Sequence, residues 1–152
     1  MNKRFAAFAM ALGFASTLAI AGCSSDSPSS TSGVHPSAKI TLDSLAGEWI
    51  LTGVSGPDGV LEGIPEGQLT VQDNGEFHFS AECNQKGGTI RVQDEMLTTN
   101  EVFTTQMLCE GIVGEVDDIA GTVLGNVSSS TLTESGTLTL VGPNGESLEF
   151  TR

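Results

Sequence analysis

The sequence predicts an α+β fold that is mainly β: a curled antiparallel sheet, small and barrel-like, packed with one helix. Three observations predict it. From Ile40 onward apolar and polar residues alternate in short runs. Those runs are separated by turn-forming residues at close, regular spacing. One stretch alone, from Ile112 to Val123, abandons the two-residue period for a helical one. A chain of 152 residues is long enough for one domain with a modest core and short for two.

Taken in order, Trp49, Leu51 and Gly53 share one parity, with Ile50, Thr52 and Val54 on the other. Leu69 and Val71 alternate with Thr70 and Gln72, and Asp73-Asn74-Gly75-Glu76 follows, its Asn-Gly pair suited to the positive-φ positions of a tight hairpin. Phe77, Phe79 and Ala81 continue on one face, with His78 and Ser80 opposite and Cys83 on the inward parity. Ile90 and Val92 make a strand after Gly87-Gly88, and Leu97 to Phe103 a further one. Ile112, Val116, Ile119 and Val123 form one helical stripe, widened by Val113, Ala120 and Leu124, while Glu115, Asp117 and Asp118 lie off it. Gly114 and Gly121 each weaken that helix by about 1 kcal/mol relative to Ala, so it needs the sheet to pack against; Gly125-Asn126 stops it. Leu138, Leu140 and then Leu148, Phe150 flank Gly142-Pro143-Asn144-Gly145, a second hairpin signal.

The first residues read as an export signal. Lys3 and Arg4 precede an apolar run from Phe5 to Ile20 that is short for a membrane span, the alternative reading, and ends in small residues. Ile20-Ala21-Gly22-Cys23 resembles the bacterial lipobox, which implies cleavage before Cys23 and lipidation of its sulfur; two acyl chains hold a protein at a membrane where one barely does. Ser24 to Ser37 holds seven Ser and almost nothing to bury, so a flexible tether is expected, with His35 a solvated part of it. The expected organisation is therefore a signal peptide over 1–22, a lipidated Cys and tether over 23–39, and one domain over 40–152. Loss of Lys3 and Arg4 leaves four basic against nineteen acidic side chains, a net −15. Such a body repels phosphate backbones and anionic lipid surfaces, so nucleic acid is excluded as a partner.

With Cys23 assigned to lipid, Cys83 and Cys109 remain, in a compartment where disulfides persist. A bridge between them would close a loop of about 27 residues, for which chain entropy allows about 3.5 kcal/mol. Two free buried thiols, or a metal site with His78 as third ligand, are the alternatives; no Cys-x-x-Cys or His-x-x-x-His spacing supports the metal.

Four segments resemble one family. Leu45-Ala46-Gly47-Glu48-Trp49-Ile50-Leu51 resembles the L-x-G-x-W-x-L opening of META domains, the family that includes the HslJ heat-shock-inducible proteins. Cys83-Asn84 with Gly87-Gly88 resembles its G-C-N-x-x-x-G segment, Glu82 standing where the family has Gly. Thr105-Gln106-Met107-Leu108-Cys109 resembles T-x-M-x-C, and Leu138-Thr139-Leu140 with Gly145 and Leu148-Glu149-Phe150 resembles the L-x-L … G-x-x-L-x-F close. The resemblance covers residues 44 to 151. It implies a small antiparallel β-fold with a helix, in envelope or secreted proteins, and an association with stress or drug tolerance. It brings no catalytic residues.

The residues themselves offer little chemistry. His78 is the one His outside the tether and is expected on an exposed strand face; no Gly-x-Ser-x-Gly elbow is present. Asp94-Glu95 and Asp117-Asp118 are adjacent pairs that diverge on a strand or helix, and are expected as solvated surface. Phosphate-loop and calcium-loop spacings are absent. Trp49, Leu51, Phe77, Phe79, Ile90 and Val116 could line a cavity between sheet and helix, but as a set they read first as core. No catalytic residue, cofactor or metal is expected. The chain is expected to be a monomeric, non-enzymatic lipoprotein of the cell membrane or outer membrane, its domain outside the cytoplasm. Binding of an apolar ligand, assembly with an envelope complex and inhibition of a hydrolase are the rival roles. Thiol titration of the exported, unreduced protein should find neither Cys83 nor Cys109 free; two free thiols per chain would remove the staple.

Overall fold

The computed structural model describes residues 36–152; the leader over 1–22, the lipidation site Cys23 and His35 lie outside the described residues. The strands are β1 (Ser37–Ala38), β2 (Gly47–Gly56), β3 (Gly59–Val60), β4 (Gln68–Val71), β5 (Glu76–Ser80), β6 (Gln85–Gln93), β7 (Met96–Thr104), β8 (Ser129–Thr133), β9 (Thr137–Val141) and β10 (Ser147–Thr151). Nine of them form one curled antiparallel sheet in the order β1-β8-β9-β10-β2-β4-β5-β6-β7, and β3 pairs with β2 beside it. The short helix α1 (Leu42–Leu45) is closed by a capping box between Thr41 and Ser44. The long helix α2 (Gly111–Gly125) packs on β2, β7, β9 and β10, which is the α+β arrangement expected.

Several local details depart from simple alternation. In β2 the inward residues are Trp49 and Leu51 and then Val54, because the register against β10 slips: Leu51 faces Phe150, but Gly53 faces Glu149. Thr52 is the extra residue, and such a bulge reverses parity while bending the strand. The Asn74-Gly75 turn is likewise not a pair of positive-φ residues. Only Gly75 is left-handed (φ 88°), at the end of a four-residue loop in which Asn74 Oδ1 accepts from the Glu76 N–H. Gly75 is required there twice over, since a Cβ would lie 2.5 Å from the Ile90 carbonyl oxygen. Gly87-Gly88 is not a turn before β6 but part of it, where the ring of Phe103 lies over Gly87. Ser37 and Ala38, expected in the tether, pair with β8, a Ser- and Thr-rich strand whose only buried residue is Leu132. In the C-terminal hairpin Asn144 donates to Glu146 from both its backbone and its side chain. The Asn144 side-chain bond is the main reason the Glu146 carboxyl sits below its ordinary range. The stabilisation it lends is present above the ordinary carboxyl pKa and is lost as pH falls through the lowered one.

The core fills the curl of the sheet. Trp49, Leu51, Phe77, Phe79, Ile90 and Val116 are all buried in it, so as a set they pack between sheet and helix and do not enclose a cavity there. Trp49 donates its Nε1–H to the Leu45 carbonyl, and the Arg152 guanidinium lies 4.5 Å from its ring centre. Phe79 meets Phe150 edge-on at 6.0 Å. On α2 the buried stripe is Val116, Ile119, Ala120, Val123 and Leu124, with Ile112 half-buried at its start.

The two helical glycines differ in what they allow. A Cβ at Gly114 would lie 2.6 Å from the Cys109 carbonyl oxygen, whereas one at Gly121 would meet only the Lys86 stem, at 3.6 Å. Gly121→Ala should therefore raise stability by up to about 1 kcal/mol, the ordinary helix-propensity gain. Gly114→Ala should instead lower it, by about 1–3 kcal/mol, because backbone must move. Urea midpoints of the two variants check the opposite signs.

Candidate functional site

A polar network joins β6, α2 and the segment between β7 and α2. It begins with a phase change in the chain. Glu82 is left-handed (φ 62°), so the inward parity that held for Phe77, Phe79 and Ala81 passes to the even-numbered residues Asn84, Lys86 and Ile90. Cys83, expected on the inward parity, is only half-buried for that reason. Glu82 takes the conformation for which a Gly would have been the easy choice.

Lys86 is consequently carried into the interior, its side chain 2% exposed. Its ammonium donates to Asp117 Oδ1 at 2.8 Å and to Thr104 Oγ1 at 3.3 Å. An ammonium buried without a counter-charge would cost several kcal/mol, and Asp117 on α2 supplies that charge. Asp117 is itself only 14% exposed, and its Oδ2 accepts from Asn84 Nδ2 at 2.9 Å. The Asn84 side chain then ties down the following segment. Its Oδ1 accepts from the Met107 N–H (2.7 Å) and the Thr105 hydroxyl (2.9 Å); its Nδ2 also donates to the Met107 carbonyl (3.1 Å) and to Cys109 Sγ (3.3 Å). Next to it Cys83 is bonded to Cys109, with Cα atoms 6.3 Å apart.

The two sequence segments that stood apart, Cys83-Asn84 and Thr105 to Cys109, are thus one hydrogen-bonded and disulfide-linked unit. Asn84 is its hub, Thr105 and Met107 are the partners of that amide, and Cys109 is the covalent end. The disulfide also decides among the alternatives for Cys83 and Cys109, since neither sulfur is left as a thiol or a metal ligand.

Asp117 was expected as solvated surface beside Asp118. Asp118 is exposed, but Asp117 is not, because Lys86 lies beneath it. Lys86 itself escapes a search for motifs. The signal that could have found it is parity: it shares the inward face of its strand with Ile90, an unusual place for a lysine. His78 is exposed on β5, opposite Thr70 and Gly87. Asp94 and Glu95 are the two left-handed residues of the β6–β7 turn, and both are exposed.

A hollow of about 580 Å³ opens above the network, with Lys86 and Asp117 in its lining and Met107 (58% exposed) and Leu108 (91% exposed) at its rim. Its central groups are engaged by one another: the ammonium by a carboxylate and a hydroxyl, the amide by five hydrogen bonds. General acid–base work requires a group free to exchange a proton with a substrate; this arrangement is suited to rigidity. Among the described residues no group of three or more His, Cys, Asp or Glu is placed to hold a metal ion. Lys86→Met should leave Asp117 without its counter-charge and lower stability by about 3 kcal/mol; adding Asp117→Leu should recover most of that loss. Urea unfolding of the single and double variants, read as a double-mutant cycle, checks it.

Residues 41–152 match the family model of the META domain. An NMR structure of a protein from Burkholderia xenovorans is 18% identical, covering 93% of this chain and 97% of its own, with a TM-score of 0.63. A second protein solved by NMR is 19% identical over 74% of this chain and 94% of its own, with a TM-score of 0.55. Both are alike in fold. No curated protein matches the chain.

Proposed function

We propose, from the premise that this chain belongs to the META domain family, that it is a lipid-anchored, non-enzymatic protein of the cell envelope. Its domain acts by binding, in envelope maintenance or stress tolerance. The observation that carries this reading is the Cys83–Cys109 disulfide. A bridge at the hub of the domain suits an oxidising compartment outside the cytoplasm. It also leaves Cys23, in its lipobox-like setting, as the one cysteine available for lipid.

The buried network supports the non-enzymatic part of the reading, because its ammonium, carboxylate and amide hold one another. The acidic surface adds a physical consequence. Two acyl chains would keep the protein at the bilayer, while the net charge holds the domain off anionic headgroups, leaving its surface open to ligands or partners. Membrane fractionation with radiolabelled palmitate tests the anchor. The native chain should be labelled and sediment with membranes; Cys23→Ala should be unlabelled and soluble. A Cys23→Ala chain that remains in the membrane fraction would refute the anchor.

A further inference from the structure

A second groove, of about 600 Å³, shares no lining residue with the hollow above the buried network. It is lined by Ile50, Leu51, Ile64 and Pro65 on the apolar side and by Glu66 and Glu82 among its polar residues. Ile50 is 51% exposed, on the outward parity of β2 between the buried Trp49 and Leu51. Thr52, Gly67, Gln68 and Ser80 complete the lining, the Thr52 hydroxyl donating to the Glu149 carbonyl. Among the described residues no side-chain hydrogen bond or ion pair engages Glu66, Glu82, Gln68 or Ser80, so their bonding capacity faces water.

Size and charge together choose the occupant. The volume is that of a small-molecule site, well short of a protein interface. No lining residue is basic. Of the four basic residues described, Lys86 is held by Asp117, Arg152 lies on Trp49 and Lys39 is near Glu95, and the fourth, Arg91, is not in the lining. The whole chain carries −13. An anionic ligand would be repelled from such a groove, and a neutral apolar one would gain nothing from its two carboxylates, whereas a cation is attracted by both.

We infer that this groove binds a small cationic amphiphile, its apolar body against Ile50, Leu51, Ile64 and Pro65 and its positive head at Glu66 and Glu82. The inference deepens the binding role proposed above and rests on it. Its test reads ligand selectivity, whereas the test of that role reads where the chain resides, so the two fail separately.

The probe is decyltrimethylammonium, kept below its micelle concentration and titrated into the isotope-labelled full chain carrying Cys23→Ala. Decyl sulfate is the comparison. Decyltrimethylammonium should shift the amide signals of Ile50, Gly67 and Ser80 saturably, and decyl sulfate should not. Glu66→Gln with Glu82→Gln should weaken binding about fivefold without changing the urea midpoint. Ile50→Ser should weaken it as well. Equal affinity for the two surfactants, shifts that fall outside the groove, or a carboxamide double variant that binds like the parent would each overturn the assignment.

Discussion

Burying one ammonium organises much of this molecule. Lys86 is drawn inside because the chain turns left-handed at Glu82 and moves the inward parity onto even-numbered residues. Once inside, it must have a counter-charge, and Asp117 supplies one from the middle of α2. A lysine on a β-strand thereby sets the rotation and height of a helix far along the chain. Hydrophobic contact alone would tolerate sliding; a 2.8 Å charge-assisted bond does not.

The network extends this control to the chain between β7 and α2. That segment has little apolar surface to bury, and Met107 and Leu108 point outward. Its order comes from Asn84 and from the disulfide, one polar and one covalent restraint at nearly the same place. Gly114 answers to the same crowding: the first turns of α2 lie so close to the Cys109 carbonyl that a methyl group does not fit. Helix, segment and sheet are therefore joined at a polar hub, while the apolar stripe of α2 fills the curl alongside it.

The parts of the fold that depend on short-range periodicity were legible. The helical stripe from Ile112 to Val123, the alternation of Phe77 and Phe79, and the C-terminal hairpin each appear where the pattern puts them. The illegible parts have specific causes. The bulge at Thr52 inserts one residue and moves Val54 inward, which no two-residue period can express. Strand β8 has one buried residue, so it carries almost no apolar signal and exists by pairing with β9 and β1. The β6–β7 turn uses Asp94 and Glu95 where Asn-Gly would have announced it.

By itself the amino-acid sequence determined the fold class, the helix, most strands and which two cysteines of the domain could pair, because these follow from local period, turn chemistry and parity of count. Only the tertiary structure decided which polar residues enter the interior. Asp117 looks like Asp118 in sequence, and one is bonded in the hub while the other meets water. The difference is made by Lys86 and Asn84, 31 and 33 positions away. A long-range electrostatic match of that kind leaves no mark on the residues next to it.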